Sequence, residues 1–322
     1  MMPVADIIPL DLRSELQKFD QAAAQLIASF FKTIEVPWPP TIYHYTNDIG
    51  LRGILETGKL WLTDMFNLND PSELSLSLSH IVDTLNSKAA TGLPESKIFS
   101  QAFEAYLRQG GYQKVAHYFL CSFSAVGDDL GQWRAYADNG RGYALGFDAG
   151  ELVTAFNKPS GKRIPNNATL SMTYNDSKSI EIHKQIVDQM FHLISIPHDR
   201  GLESAVVRAY ENHLYALLAM ESSRVGLVFK HEAYNNEKEY RFVEMHGTDV
   251  LSADVKFRSR PYSIVKYREF DWRSAAPGAL KKIVIGPGNH DDRAFKFATD
   301  CLGAFHGTGV QLFRSRIPYR AT

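Results

Sequence analysis

Cysteine is scarce in this chain: only Cys121 and Cys301 occur among 322 residues, each inside an apolar segment. That usage argues against a disulfide framework and fits reduced thiols in a reducing compartment. No apolar run reaches membrane-spanning length. The N-terminal stretch carries acidic residues where a signal peptide needs a basic start and an apolar centre, so a cytoplasmic location and no membrane partner are expected. Net charge is also lacking. At −1 it argues against attraction of the whole surface to nucleic acid or anionic lipid and leaves local basic patches open. No internal repeat or low-complexity tract is present. Ile285-Gly286-Pro287-Gly288 lacks the third glycine of a dinucleotide loop and reads as an ordinary turn. His290-Asp291-Asp292 sits where a helix begins and reads as a cap, and no second His/Asp cluster has ligand spacing, so no metal is expected. What is abundant is core material, with 44% hydrophobic and 12% aromatic residues. That is enough for one elaborated domain or two small ones.

The stretch Thr41 to Glu73 organises the reading. Thr41, Tyr43 and Tyr45 alternate with Ile42 and His44 as in a short strand. Thr46-Asn47-Asp48 supplies capping oxygens for a short helix over Ile49, Gly53, Ile54 and Leu55, and Gly58 suits its left-handed end. Leu60 to Thr63 is a second strand. Phe66 to Pro71 is a loop, and Ser72-Glu73 opens the next helix. Upstream, Leu12, Leu16, Phe19, Ala23, Leu26, Ile27 and Phe30 form one face of a helix over about Leu12–Lys32 capped by Asp11, which Val36 to Pro40 terminate. Downstream, Lys114 to Ser124 is a buried strand, Leu130 to Ala137 a short helix and Arg141 to Asp148 a strand. Leu170 to Tyr174 is a further short strand. Ser177 to His231 turns helical, and strands return at Glu239–Glu244, Val255–Arg260, Ser263–Tyr267, Lys282–Ile285 and Val310–Phe313. Strand-rich, helical, strand-rich order gives an α+β class. The expected division is an N-terminal helix and linker over 1–40 and one domain over 41–322, interrupted by a helical insertion at about 176–232.

Three constellations carry chemistry. His44 closes the first strand with Thr46 two residues on, although a lone strand histidine is more often a packed core group. Ser122-Phe123-Ser124 ends a buried strand. Glu237-x-Glu239-Tyr240, read as strand, places both carboxylates on one face, where they repel unless a cationic or hydroxyl-bearing ligand separates them; a solvated sheet edge is the plain alternative.

Tyr43-His44-Tyr45-Thr46 followed by Ile54-Leu55-x-x-Gly58 resembles the first motif of the ADP-ribosyltransferase superfamily. Ser122-Phe123-Ser124 resembles its S-T-S motif, and Asn236-Glu237-x-Glu239-Tyr240 its strand-borne catalytic Glu. A narrower resemblance covers more of the chain. Tyr43-His44-Tyr45-Thr46, Leu60-Trp61-Leu62-Thr63, Asn69-Asp70-Pro71-x-Glu73, Cys121 to Ser124, Gln132-Trp133-x-x-Tyr136-Ala137-Asp138, Gly140-Arg141-Gly142, Glu237-x-Glu239-Tyr240-Arg241 and Ile317-Pro318-Tyr319-Arg320 resemble the words of an uncharacterised bacterial domain family of unknown function.

The superfamily resemblance implies a mixed or antiparallel split sheet. It implies NAD as substrate and transfer of ADP-ribose to a protein or nucleic acid, or NAD hydrolysis, as in a toxin or defence effector. Glu239 is then expected to be the catalytic carboxylate, Glu237 to orient the acceptor and His44 to bind ribose. Tyr45, Thr46, Asn69, Ser122, Ser124, Trp133, Tyr136 and Arg241 are expected around NAD, with Tyr136 stacking on nicotinamide. His44, Ser124 and Glu239 are expected in one cleft. Two other classes stay open: a non-catalytic nucleotide- or partner-binding module, and a metal-dependent phosphoesterase using Asp70, Glu73 and Asp128.

Overall fold

In the computed structural model the described residues are 7–68, 72–158, 167–247, 254–289 and 291–319. In chain order they form α1 (Leu10–Ile34), β1 (Thr41–Thr46), α2 (Asp48–Thr57), β2 (Lys59–Asp64), α3 (Ser72–Ala90) and α4 (Pro94–Arg108). Next come β3 (Ala116–Ser124), α5 (Leu130–Tyr136), β4 (Tyr143–Asp148), α6 (Ala149–Phe156) and β5 (Asn167–Ser171). The helices α7 (Asp176–Met190), α8 (Ile196–Asp199) and α9 (Ser204–Gly226) follow, then β6 (Glu239–Gly247), β7 (Lys256–Arg260) and β8 (Ser263–Asp271). The chain closes with α10 (Trp272–Ala275), β9 (Leu280–Ile285), α11 (Arg293–Phe305) and β10 (Gln311–Arg314). This is an α+β protein. Its described residues divide into two compact units, one drawn from Met1–Glu35, Asn69–His117 and Thr173–Glu232, the other from Val36–Leu68, Tyr118–Met172 and Ala233–Thr322.

The first unit is helical: α1, α3, α4, α7, α8 and α9. Leu12, Leu16, Phe19, Ala23 and Ile27 form the buried stripe of α1, at the three- and four-residue spacing that one helical face requires. That helix starts earlier than expected, at Leu10 after Pro9, so Asp11 lies in its first turn and pairs with Arg200 instead of capping. In α7 the buried residues Ile182, Ile186, Val187 and Met190 repeat the pattern and surround His183. Buried His183 donates from Nδ1 to the Ser179 carbonyl at 2.7 Å and meets Ser77 Oγ at 3.1 Å through Nε2.

The second unit is built on a mixed sheet in the order β10-β9-β4-β1-β3-β2-β8-β7, with β6 beside β3 and β5 beside β6. Its described pairs are antiparallel except β9 with β10. β1 opens as the sequence indicates: Asn47 Oδ1 accepts from Gly50 N at 2.9 Å to start α2, and Gly58 ends it at φ 69°. Alternation then sorts the side chains of β1. Ile42 joins a large core containing Leu51, Leu55, Phe123, Phe147, Phe242 and Trp272, while Tyr45 joins a smaller cluster with Trp133, Ala137, Ala144 and Val284.

Two strand expectations are corrected. β5 spans Asn167–Ser171 instead of Leu170–Tyr174, because its ladder with β6 ends at Ser171↔Tyr240. β6 begins at Glu239, as expected, and does not reach Glu237. Glu237 closes a 3₁₀ turn over Glu232–Glu237, and Lys238 between the two carboxylates takes a left-handed φ of 46°. Strand alternation therefore does not relate Glu237 to Glu239, and the same-face reading of that pair fails.

Candidate functional site

β3 changes partners along its length. Near its start Phe119 and Leu120 face Asp64 and Thr63 of β2, and at its end Ser124 faces Tyr43 of β1. Between these, the His44 ring covers the β3 backbone: its Nδ1–H donates to the Ser122 carbonyl at 3.0 Å. That bond fixes the neutral tautomer with Nε2 as acceptor, and burial lowers the imidazole pKa. The ring lies 5.7 Å from Phe123, and Cys121 Sγ is 3.7 Å from Nδ1. The Cys121 thiol is pushed up to about 12 by burial and stays protonated.

The end of β3 anchors the turn that carries Glu237. Buried Ser124 donates its hydroxyl to the Glu237 carbonyl at 2.7 Å and accepts from Val126 N at 3.0 Å, while Ala125 N donates to the Lys238 carbonyl at 3.0 Å. The Glu237 side chain meets α5: the Tyr136 hydroxyl donates to Oε1 at 3.2 Å. The Tyr136 ring is 39% exposed, whereas Trp133 one helical turn earlier is fully buried.

Glu239 is engaged differently. Its Oε1 accepts from Arg241 Nε at 2.7 Å and its Oε2 from Arg241 Nη2 at 3.2 Å, a bidentate pair in which both side chains are buried. On the alternate positions Tyr240 packs on Trp38 at 4.5 Å and Phe242 on Phe123 at 4.8 Å. Glu239 and Arg241 therefore project from the face opposite those rings, the face that Ser122 and Ser124 share with Tyr43.

Ser124, Tyr136 and Glu237 are thus joined by direct hydrogen bonds, and Glu239 and Arg241 by an ion pair. His44 reaches the assembly through the Ser122 backbone, with its ring toward Phe123 on the face opposite Glu239. Tyr45 and Trp133 of α5 pack edge to face at 4.8 Å. The Tyr45 hydroxyl donates to the Val126 carbonyl at 2.7 Å and accepts from Asp129 N at 3.2 Å, and burial raises its pKa. Trp133 Nε1 donates to Asp128 Oδ1 at 2.8 Å, and the same carboxylate accepts from Arg316 N at 2.9 Å. Thr46 ends β1, where its carbonyl lies against Gly142; a Cβ there would stand 2.1 Å from that oxygen. Gly142 is fixed by this close approach. Asn69 and Asp70 lie outside the described residues, as do Pro71, His290 and Arg320, and Glu73 is described only as backbone. Among the described residues no group of three or more His, Cys, Asp or Glu is placed to hold a metal ion, and no helix is long and apolar enough to cross a membrane.

Tyr43 is a member of this region that sequence reasoning missed. Its ring covers Gly127 and Gly146, where added Cβ atoms would lie 2.3 and 2.9 Å away, and Lys282 Nζ stands 5.7 Å from its centre. The two glycines, far apart in sequence, are the available signal.

Residues 132–242 match the family model described as "Protein of unknown function (DUF2971)". The matched segment is about a third of the chain and includes Gln132-Trp133, Tyr136, Gly140-Arg141-Gly142 and Glu237 to Arg241. The resemblance to an uncharacterised family of unknown function holds over it, and the match assigns no activity. No curated protein and no solved structure matches the chain significantly.

Proposed function

We propose that the second unit binds NAD at the end of β3 and cleaves its nicotinamide–ribose bond, passing ADP-ribose to a macromolecule or to water. The observation that carries this reading is the Tyr136–Glu237 contact: an exposed aromatic ring is hydrogen-bonded to a carboxylate whose own backbone is fixed by Ser124. The chemistry calls for that pairing. As the bond breaks, its electron pair leaves with the nicotinamide nitrogen and the ribose becomes oxocarbenium-like. A fixed carboxylate stabilises that charge, as in glycoside hydrolysis, and an aromatic face holds the leaving group.

Roles divide between the two carboxylates by the group that each meets. Glu239 is tied to buried Arg241 of its own strand, so that pair positions the strand. Glu237 faces the ribose, and Tyr136 holds nicotinamide. His44 braces β3 through Ser122 from the face opposite Glu239. This departs from the sequence-based expectation that Glu239 does the chemistry.

The test is nicotinamide release from NAD by purified protein, with Tyr136→Ala alongside. Release that falls in the variant supports the reading. NAD binding without release in the wild type would favour a non-catalytic nucleotide-binding module, and absence of both would remove NAD from the account.

A further inference from the structure

The β7–β8 hairpin has a composition that the split end of β3 does not use. From Lys256 to Arg268 the sequence KFRSRPYSIVKYR holds five Lys or Arg and no Asp or Glu, within a chain whose net charge is −1. Three aromatic residues, Phe257, Tyr262 and Tyr267, are interleaved with these cations. β7 ends the strand order of the sheet. Basic residues on an edge strand are a common guard against pairing with another chain. That explanation does not reach the apolar groups, because Phe257 is 62% exposed and Ile264 68% exposed, and such groups invite association.

Register sorts the two faces. Lys256, Arg258 and Arg260 lie opposite Tyr267, Val265 and Ser263, and Trp61 of β2 is opposite Glu269, so these residues share one face, while Phe257 and Ile264 lie on the other. On it Trp61 packs against Tyr267 at 4.5 Å, and the Arg258 guanidinium lies over the Trp61 ring at 5.2 Å. Glu269 matches Lys59 at 2.7 Å and Lys256 at 2.9 Å. Arg258 and Arg260 have no carboxylate partner among the described residues; they bond to Thr63 Oγ1 at 3.3 Å and the Asn67 carbonyl at 2.9 Å. At the tip Tyr262 follows Pro261, is fully exposed, and holds a left-handed φ of 60° that glycine adopts without strain. A large ring kept at a strained, solvated turn is an outlier that points to use.

We propose that the β7–β8 hairpin and the adjoining face of β2 bind single-stranded nucleic acid. Unmatched arginines meet phosphates, and the exposed rings of Trp61 and Tyr262 take unstacked bases, the combination by which single strands are held with little sequence preference. A duplex keeps its bases stacked and offers the rings nothing. An acidic peptide would meet the arginines alone. This inference is independent of the NAD reading, and its test uses no NAD.

The measurement is fluorescence anisotropy of labelled oligothymidine, oligouridine and a matched duplex with the full chain, at salt from about 50 to 200 mM. Both single strands should bind more tightly than the duplex, and comparison of the two shows whether the sugar matters. Binding should weaken with salt, and Arg258→Gln with Arg260→Gln should reduce the log–log salt slope by roughly 1.4, about 0.7 for each phosphate left without its arginine. Tyr262→Gly relaxes the turn, so it should keep or raise thermal stability while weakening binding by about fivefold or more, the usual range for removal of one base stack. Absence of single-strand binding, equal affinity for the duplex, displacement by poly-glutamate at equal charge, or full binding by a folded Tyr262→Gly would each overturn the proposal.

Discussion

The Tyr136 hydroxyl donates to Glu237 Oε1 at 3.2 Å while the Ser124 hydroxyl donates to the Glu237 carbonyl at 2.7 Å, so one residue is held at its side chain by α5 and at its backbone by β3. The two bonds have different consequences. The first touches the carboxylate that would meet substrate, and the second sets where that carboxylate stands.

Tyr136→Phe removes the hydroxyl and keeps the ring. Nicotinamide release is expected to fall by about tenfold, the scale of one ordinary hydrogen bond of roughly 1.4 kcal/mol, with NAD affinity nearly unchanged. Tyr136→Ala removes the ring as well and should also weaken NAD binding. Side-by-side affinity and turnover measurements on the two variants check this split.

Ser124→Ala leaves the Glu237 carbonyl and the Val126 N–H without their partner at a buried position. Unfolding in urea should show a loss of about 1–3 kcal/mol, and release should fall with it because Glu237 loses its anchor. Unchanged stability would mean that the bond does not hold the turn.

Glu239→Gln removes the charge and one of the two acceptor oxygens that face the buried Arg241 guanidinium. A loss of about 3–5 kcal/mol is expected, and replacing Arg241 by Met in the same chain should recover part of it, giving a coupling above about 1 kcal/mol in a double-mutant cycle. Additive effects would show that the pair is not energetically coupled.

Two buried groups in the helical unit give stability opposite pH slopes. Burial lowers the His183 pKa from 6.5 to about 3, so the native state resists a proton that the unfolded chain accepts. Its contribution is complete above pH 6.5 and is lost as pH falls toward 3, by up to about 5 kcal/mol. Glu221 is raised from 4.5 to about 7, chiefly by burial and against the pull of Arg224, with Asp20 pushing the same way as burial. Its contribution is complete below pH 4.5 and is lost as pH rises through 7, by up to about 3 kcal/mol. Glu221→Gln should therefore stabilise the protein at about pH 8 and have little effect near pH 5, and His183→Gln should flatten the acid limb. Denaturant midpoints across that range decide both.

The strand–helix–strand unit at β1, α2 and β2 is legible in the sequence because its signals are local. Alternation sets β1, the Asn47 side chain starts α2, and Gly58 ends it in the conformation glycine favours. The Glu237-x-Glu239 spacing misleads for an equally local reason. Reading it as strand assumes extended backbone at the middle residue, and lysine gives no hint of the left-handed φ of 46° that Lys238 adopts. Long-range relationships are out of reach: nothing near Ser124 in sequence announces that its hydroxyl binds the carbonyl of Glu237, and the basic, aromatic hairpin reads only as two strands. The pairing of Glu239 with Arg241 is hidden because alternating charges on a strand ordinarily belong to a solvated edge.

Glu237 carries the proposed chemistry, and Glu237→Gln isolates its charge, since the amide keeps the shape. The measurement is nicotinamide release together with NAD affinity, wild type against variant. Turnover is expected to fall by on the order of 10²-fold to 10³-fold with affinity changed little, as befits a group that acts in the transition state. Turnover equal to wild type would contradict that role.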